Sequence, residues 1–186
     1  SFAAGIATHY VTTDQINAAC AFITEGLSAD KNTSDLLDEI HQDPGAPLQL
    51  NKETRSTIDA CFASNRAEEI VAKLEHEKSK LGDESWAAKQ LATLAKKSPQ
   101  SVKVALKQIR LGGAMSDFAD NMAMEYAAVS RIVMDAEFHE GVRAVILDKD
   151  NDPKWRYASI ADVPDADIDA VFDPLPADQA WAPLDM

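Results

Sequence analysis

Beyond residue 12, apolar positions recur at helical spacing along most of the chain. Ile16, Ala19, Cys20 and Ile23 predict a helix from a Thr12 or Thr13 cap to about Leu27. Ser34–Ile40 predicts a short acidic helix, and Asp43-Pro44-Gly45-Ala46-Pro47 a turn-rich loop. A helix opening near Lys52 puts Thr54, Ile58, Cys61 and Phe62 on one face. Asn65-Arg66-Ala67-Glu68 has the form of a capping box. The helix it opens turns Ile70, Val71 and Leu74 inward, sets Glu69 beside Lys73 and closes at Gly82. Trp86, Leu91 and Leu94 mark a helix from Asp83 to about Lys97, with Lys96 and Lys97 at the negative end of its dipole. Ser98-Pro99 is a start signal, and Val102, Ala105, Leu106 and Ile109 follow at helical spacing to Gly112-Gly113. Ser116 is the expected cap of the longest helix, about 117–135, with Phe118, Met122, Tyr126, Val129 and Val133 down one side. Glu137–Leu147 suits one more helix, and Asp148–Tyr157 a polar turn around Pro153. The fold class is mainly α, in three stretches. Residues 1–12 are extended, 13–160 form a helical domain, and 161–186 form an acidic Pro/Ala-rich tail expected to be only partly ordered.

Charge narrows the function. The chain has 186 residues, 31 acidic against 18 basic, for a net charge of −13. So acidic a surface repels phosphate backbones and anionic membranes, which argues against nucleic-acid and membrane partners. No run approaches the ~20 apolar residues of a membrane span. Cys20 and Cys61 lie on apolar faces outside any CxxC pattern, and are expected to be buried, reduced thiols. The start lacks an initiator Met and a signal-peptide pattern, and reads as a segment of a longer parent.

Patterns alone give no convincing active site: GxSxG, HExxH, P-loop and GxGxxG are all missing. His9, His41 and His76 are isolated in sequence, and His139 between Glu137 and Glu140 suits a solvated face better than an acid–base pair. No second histidine stands at helical spacing from it, so no metal site is expected. Glu125, inside an apolar stripe, is either a general base or the partner of Arg131 or Arg143. Lys103, Lys107 and Arg110 line one helix face, whose plain reading is a solvated stripe. Arg143, Lys149, Lys154 and Arg156, interleaved with Trp155 and Tyr157, make a surface suited to an anionic ligand.

Motif order adds a resemblance. Gly5-Ile6-Ala7-Thr8-His9-Tyr10, Asp59-Ala60-Cys61-Phe62 followed by Glu68-Glu69-Ile70, Ser98-Pro99-Gln100-Ser101-Val102-Lys103 and Met124-Glu125-Tyr126 resemble successive segments of the 3-hydroxyisobutyryl-CoA hydrolases of the crotonase superfamily. The run Glu137-Phe138-His139-Glu140-Gly141-Val142-Arg143-Ala144, continuing through Asp148-Lys149-Asp150 to Pro153-Lys154-Trp155, is similar to that family's most specific signature. The likeness covers about residues 3–172. The family has Arg where this chain has Ala127, and residues 28–49 have no aligned counterpart.

The resemblance implies the C-terminal helical region of a crotonase-fold protein, lacking the upstream ββα spiral core, with residues 1–12 as the end of that core. It implies an enzyme parent that hydrolyses the thioester of 3-hydroxyisobutyryl-CoA in valine breakdown. The oxyanion hole and carboxylates lie upstream, so no catalytic residue is expected in this chain and it should be inactive alone. It also makes Phe138, Arg143, Lys149, Lys154 and Trp155 candidates for the CoA end of the site, CoA being part of the substrate and not a cofactor. The plainer reading makes Phe138 and Trp155 packing residues and Arg143 a structural ion pair. The mitochondrial matrix is implied for a eukaryotic source, the cytoplasm otherwise. Self-association is expected because apolar surface is left uncovered. Two alternatives are a non-catalytic relative in a mitochondrial ribosome, disfavoured by the negative charge, and an enoyl-CoA hydratase or isomerase, disfavoured by the long ending through Trp155.

Overall fold

In the computed structural model, residues 7–43 and 52–182 are described, and every regular element among them is helical. They belong to two compact units, Ser1–Ser56 and Thr57–Met186. Packing therefore divides the chain inside a helix, away from the limits at 12/13 and 160/161 drawn from sequence. Most of the loop expected at 43–47 lies outside the described residues, as do residues 1–6.

In the first unit, a 3₁₀ turn, Thr13–Gln15, leads into α1 (Ile16–Ser28), followed by α2 (Thr33–Ile40). Asn32 caps α2, its side-chain oxygen accepting the Ser34 N–H at 2.8 Å. The helices meet at Gly26, where a Cβ would stand 2.4 Å from a methyl of the fully buried Leu36. Only a residue without a side chain permits that approach. The stripe expected to face the core does so only in part: Ala19 and Ile23 are half-buried, while Ile16 is 46% exposed and Cys20 is an exposed thiol, not a buried one.

The second unit takes in most of α3 (Lys52–Phe62), then α4 (Ala67–Leu81), α5 (Trp86–Leu94), α6 (Pro99–Ala114), α7 (Phe118–Ile132), α8 (Ala136–Val142) and α9 (Asp165–Val171). Cys61, Ile70, Leu74 and Ala87 form one buried cluster, with Trp86, Leu91, Leu94 and Leu106 packed on it. Cys61 is buried as expected, and its burial pushes the thiol pKa up. Val104, Ala128, Val163, Ile168 and Val171 form a second. Three of those five come from the stretch assigned to the tail. Ile168 and Val171, one helical turn apart, give α9 an apolar edge that binds it to α6 and α7.

Local signals place most helix ends. Ser98 caps α6, with Pro99 in its first turn, and Gly82 ends α4 with φ +87°. Two caps move. The N-cap of α4 is Arg66 without a side-chain cap, while the Ser64 hydroxyl accepts from the Arg66 N–H at 3.1 Å and donates to Glu69 at 2.5 Å. Asp117, not Ser116, caps α7, because its carboxylate reaches the N–H groups of Ala119 and Asp120. The larger difference is on α7. Its buried residues are Ala127 and Ala128, while Phe118 is 76% and Val129 49% exposed. Near its end, Arg131 turns toward the chain beyond α9 and donates to the carbonyls of Val171, Asp173 and Pro174 at 3.4, 2.5 and 3.1 Å.

Candidate functional site

The stretch from Glu137 to Trp155 is built around four carboxylates and one guanidinium. Glu137, in the first turn of α8, is only 6% exposed. It accepts hydrogen bonds from the Ser98 hydroxyl and the Arg156 backbone N–H, tying together the starts of α6 and α8 and the segment after the turn. From sequence it is only a neighbour of His139. His139 itself is exposed and edge-on to Phe138, with ring centroids 6.1 Å apart.

α8 runs into a π-helical turn, Arg143–Leu147, and Arg143 holds the chain beyond that turn. Its Nε and Nη2 donate to the two oxygens of Glu140, each at 2.8 Å. Nη1 donates to Asp148 and Asp150, each at 2.7 Å, and Nη2 also to the Asp152 carbonyl at 3.2 Å. A guanidinium has five N–H donors, and these contacts use all five. Lys149 and Asn151 take left-handed conformations, φ 57° and 54°, which fold the chain back until the Asn151 N–H meets the Ala144 carbonyl at 3.0 Å. Glu140 also accepts the Lys154 N–H at 2.6 Å, and the Trp155 ring lies 3.4 Å from where a Cβ on Gly141 would stand.

Of the five sequence candidates, Arg143, Lys154 and Trp155 are thus gathered around the 140–141 end of α8. Phe138 and Lys149 are exposed. Arg143 is paired with three carboxylates, so a phosphate reaching it would have to displace one of them. The Lys154 ammonium bonds Asp152 and is otherwise open to solvent. What sequence reasoning passed over was the acidic set, Glu140, Asp148 and Asp150. Its signal was present in a Glu three residues before the arginine and two aspartates closely behind it.

The basic stripe on α6 is a solvated face only in part, running from buried Lys103 through half-buried Lys107 to exposed Arg110. Lys103 is 9% exposed and spends its three donors on Glu68 at 2.9 Å, the Val163 carbonyl at 2.9 Å and Asp165 at 2.6 Å. Burial works against its charge, but the bonds to Asp165 and Glu68 outweigh it and raise the Lys103 pKa. For Glu68, burial pushes the pKa up and the Lys103 bond and charge prevail, lowering it. Lys107 pairs with Asp169 at 2.5 Å, and Arg110 donates to the carbonyls of Phe62 and Ser64 at 2.5 and 3.1 Å. These residues line a groove of about 390 Å³ whose charges are largely paired. Elsewhere, Glu125 meets Asn121 at 3.4 Å, and Arg131 bonds backbone carbonyls instead. In the first unit His9 is not isolated: it bonds Asp38 and the Thr8 hydroxyl, each at 2.8 Å. Among the described residues no cluster of three or more His, Cys, Asp or Glu is placed to hold a metal ion.

The sequence pattern described as enoyl-CoA hydratase/isomerase matches residues 1–172. The chain belongs to that family. The chain is 36% identical over 176 residues to the mitochondrial 3-hydroxyisobutyryl-CoA hydrolase of Gallus gallus, covering 92% of itself and 44% of that protein. It is 32% identical to the Homo sapiens enzyme of that name, covering 94% and 45%, and 30% identical to the probable 3-hydroxyisobutyryl-CoA hydrolase 3 of Arabidopsis thaliana, covering 98% and 49%. It therefore spans slightly less than half the length of these relatives. Among solved structures it matches a carnitinyl-CoA dehydratase from Mycobacterium thermoresistibile, with a TM-score of 0.68 at 31% identity over 93% of this chain and 46% of that one. It also matches an enoyl-CoA hydratase from Rhodobacter sphaeroides, with a TM-score of 0.69 at 27% identity over 95% and 47%.

In this enoyl-CoA hydratase/isomerase family member the Arg143 turn carries a pH dependence. The Arg143 hydrogen bonds, and next the Lys154 N–H, hold the Glu140 carboxyl at about 2, below its ordinary 4.5. Arg143 also lowers Asp150. A carboxylate whose pKa is depressed by folding adds stability above its unfolded pKa and loses it as pH falls toward the folded value. Glu140→Gln is therefore expected to melt lower than the parent at neutral pH, and to fall less steeply between about 4.5 and about 2. Thermal melts across that window check it. Parallel curves would show that Glu140 is uncoupled from the fold.

Proposed function

We propose that this chain is the helical portion of a longer acyl-CoA thioester hydrolase acting on 3-hydroxyisobutyryl-CoA, and that it is inactive alone. The observation that carries the reading is the match, over more than nine-tenths of the chain, to curated 3-hydroxyisobutyryl-CoA hydrolases. The Glu137–Trp155 run supports it in kind: its charged groups hold a turn, with a stable ion pair where a catalytic acid or base would need freedom to exchange a proton. The groups that polarise and attack the thioester then belong to the remainder of the polypeptide. The substrate is the acyl-CoA, with CoA as leaving group and no separate cofactor. The matrix of mitochondria is the proposed location in a eukaryote, the cytoplasm otherwise. No nucleic acid or membrane is a proposed partner, and among the described residues no helix is long and apolar enough to cross a bilayer. A second reading, hydration or dehydration of an enoyl-CoA, is favoured by the two solved neighbours.

For the CoA end, Lys149, Lys154, Trp155 and Phe138 remain the proposed contacts, with Arg143 shaping the turn that presents the lysines. Calorimetric titration of the chain with free CoA, beside a Lys149→Ala/Lys154→Ala variant, tests this. Binding that the double substitution abolishes is the expected result. Binding that survives it would move the phosphates elsewhere. Arg143 is left intact, because its removal would unfold the turn and blur the outcome.

A further inference from the structure

We infer that the aliphatic tip Val145-Ile146-Leu147 is a docking element that seats against the remainder of the longer polypeptide, and that Arg143 is its positioning residue. This rests on the reading of the chain as one portion of a longer protein and adds a named contact to it. The three side chains are consecutive and 59%, 60% and 70% exposed, while Ala144 at their base is fully buried. A contiguous run of exposed aliphatics marks either an interaction surface or an aggregation liability. Here it is fixed. The Asp148 N–H closes onto the Arg143 carbonyl at 2.8 Å, and the Asn151 N–H onto that of Ala144. Three of the five guanidinium donors of Arg143 clamp the return of the chain at Asp148, Asp150 and Asp152, and the other two hold Glu140 on α8. Such order in a surface that gains nothing from its own unit suits a partner always presented in the same place.

Length and charge choose that partner. The relatives are about twice as long as the stretch this chain matches, so each carries a comparable mass of polypeptide in the same molecule. A second copy would bring another net charge of −13 to a chain that already carries that charge. Two bodies so charged repel. The fitting surface is apolar with a neutral or basic rim.

The test is the rate of maleimide labelling of Ile146→Cys in a Cys20→Ser background, since Cys20 is exposed and Cys61 buried. It is measured in this chain alone and in the whole Gallus gallus relative with its matching span replaced by this chain. Labelling is expected to be fast in the chain alone and about tenfold or more slower in the hybrid, with Arg143→Ala restoring much of the rate. A folded hybrid that labels as fast as the chain alone overturns the inference. So does labelling of the isolated chain that slows with its own concentration, which would make the occupant a second copy. If the hybrid does not fold, the same cysteine at the aligned position of the intact relative decides, protection supporting the contact and fast labelling overturning it. Thioester hydrolysis by the hybrid is scored separately. A protected tip without hydrolysis keeps the contact and sinks the functional reading, and hydrolysis with an unprotected tip does the reverse.

Discussion

Lys103→Met is expected to destabilise the second unit by about 3 kcal/mol, the range for breaking a buried ion pair, set at its lower end because Asp165 is 61% exposed. The methionine fills the space of the lysine stem. Glu68 is left with a largely enclosed carboxylate whose one remaining cation among the described residues, Arg66, stands 3.7 Å away, and the Val163 carbonyl loses its donor. Because Lys103 joins the start of α4 to the start of α9, the loss is expected to loosen α9 first. Chemical denaturation of the parent, Lys103→Met and Lys103→Met/Glu68→Leu checks the cause. The double variant removes the underpaired carboxylate and is expected to recover part of the loss. No recovery would place the cost in side-chain packing and not in an unpaired charge.

Glu137→Ala is expected to cost a similar amount, about 3 kcal/mol, from two hydrogen bonds to a buried carboxylate. The Ser98 hydroxyl loses its acceptor while still capping α6, and the Arg156 N–H is left facing a small cavity. Glu137→Gln keeps an oxygen for that N–H and should cost distinctly less. Equal melting points for the two variants would show that the carboxylate is not what joins α6 to α8.

Both residues show where sequence reading stops. Short-range features were legible. Ser98-Pro99 announces a cap because a cap is made within one turn, and Gly82 announces an end because its backbone needs φ +87°. The sequence pattern points Lys103 to solvent because a charge on a helix face normally goes there. What buries it is Glu68 and Asp165, 35 and 62 residues away, and no local pattern reports them. The stripe on α7 failed differently. Its period correctly describes an apolar face, but periodicity does not say what covers that face, and the buried residues are two alanines. Within the candidate site, the gathering of Arg143, Lys154 and Trp155 came from their closeness in the chain. The exhaustion of the arginine's donors by Glu140, Asp148 and Asp150 did not, because it depends on a π-helical turn and two left-handed residues.

The grip of Arg131 on the chain after α9 has a consequence for which substitutions this region accepts. It reads peptide carbonyls, at Val171, Asp173 and Pro174, and every amino acid supplies one. The path of the segment is thereby insured against changes of side chain at 173 and 174, while a one-residue insertion or deletion would shift every carbonyl out of register. Point changes there should pass almost silently, and changes of length should not. The anchor specifies a count of residues and is indifferent to their names.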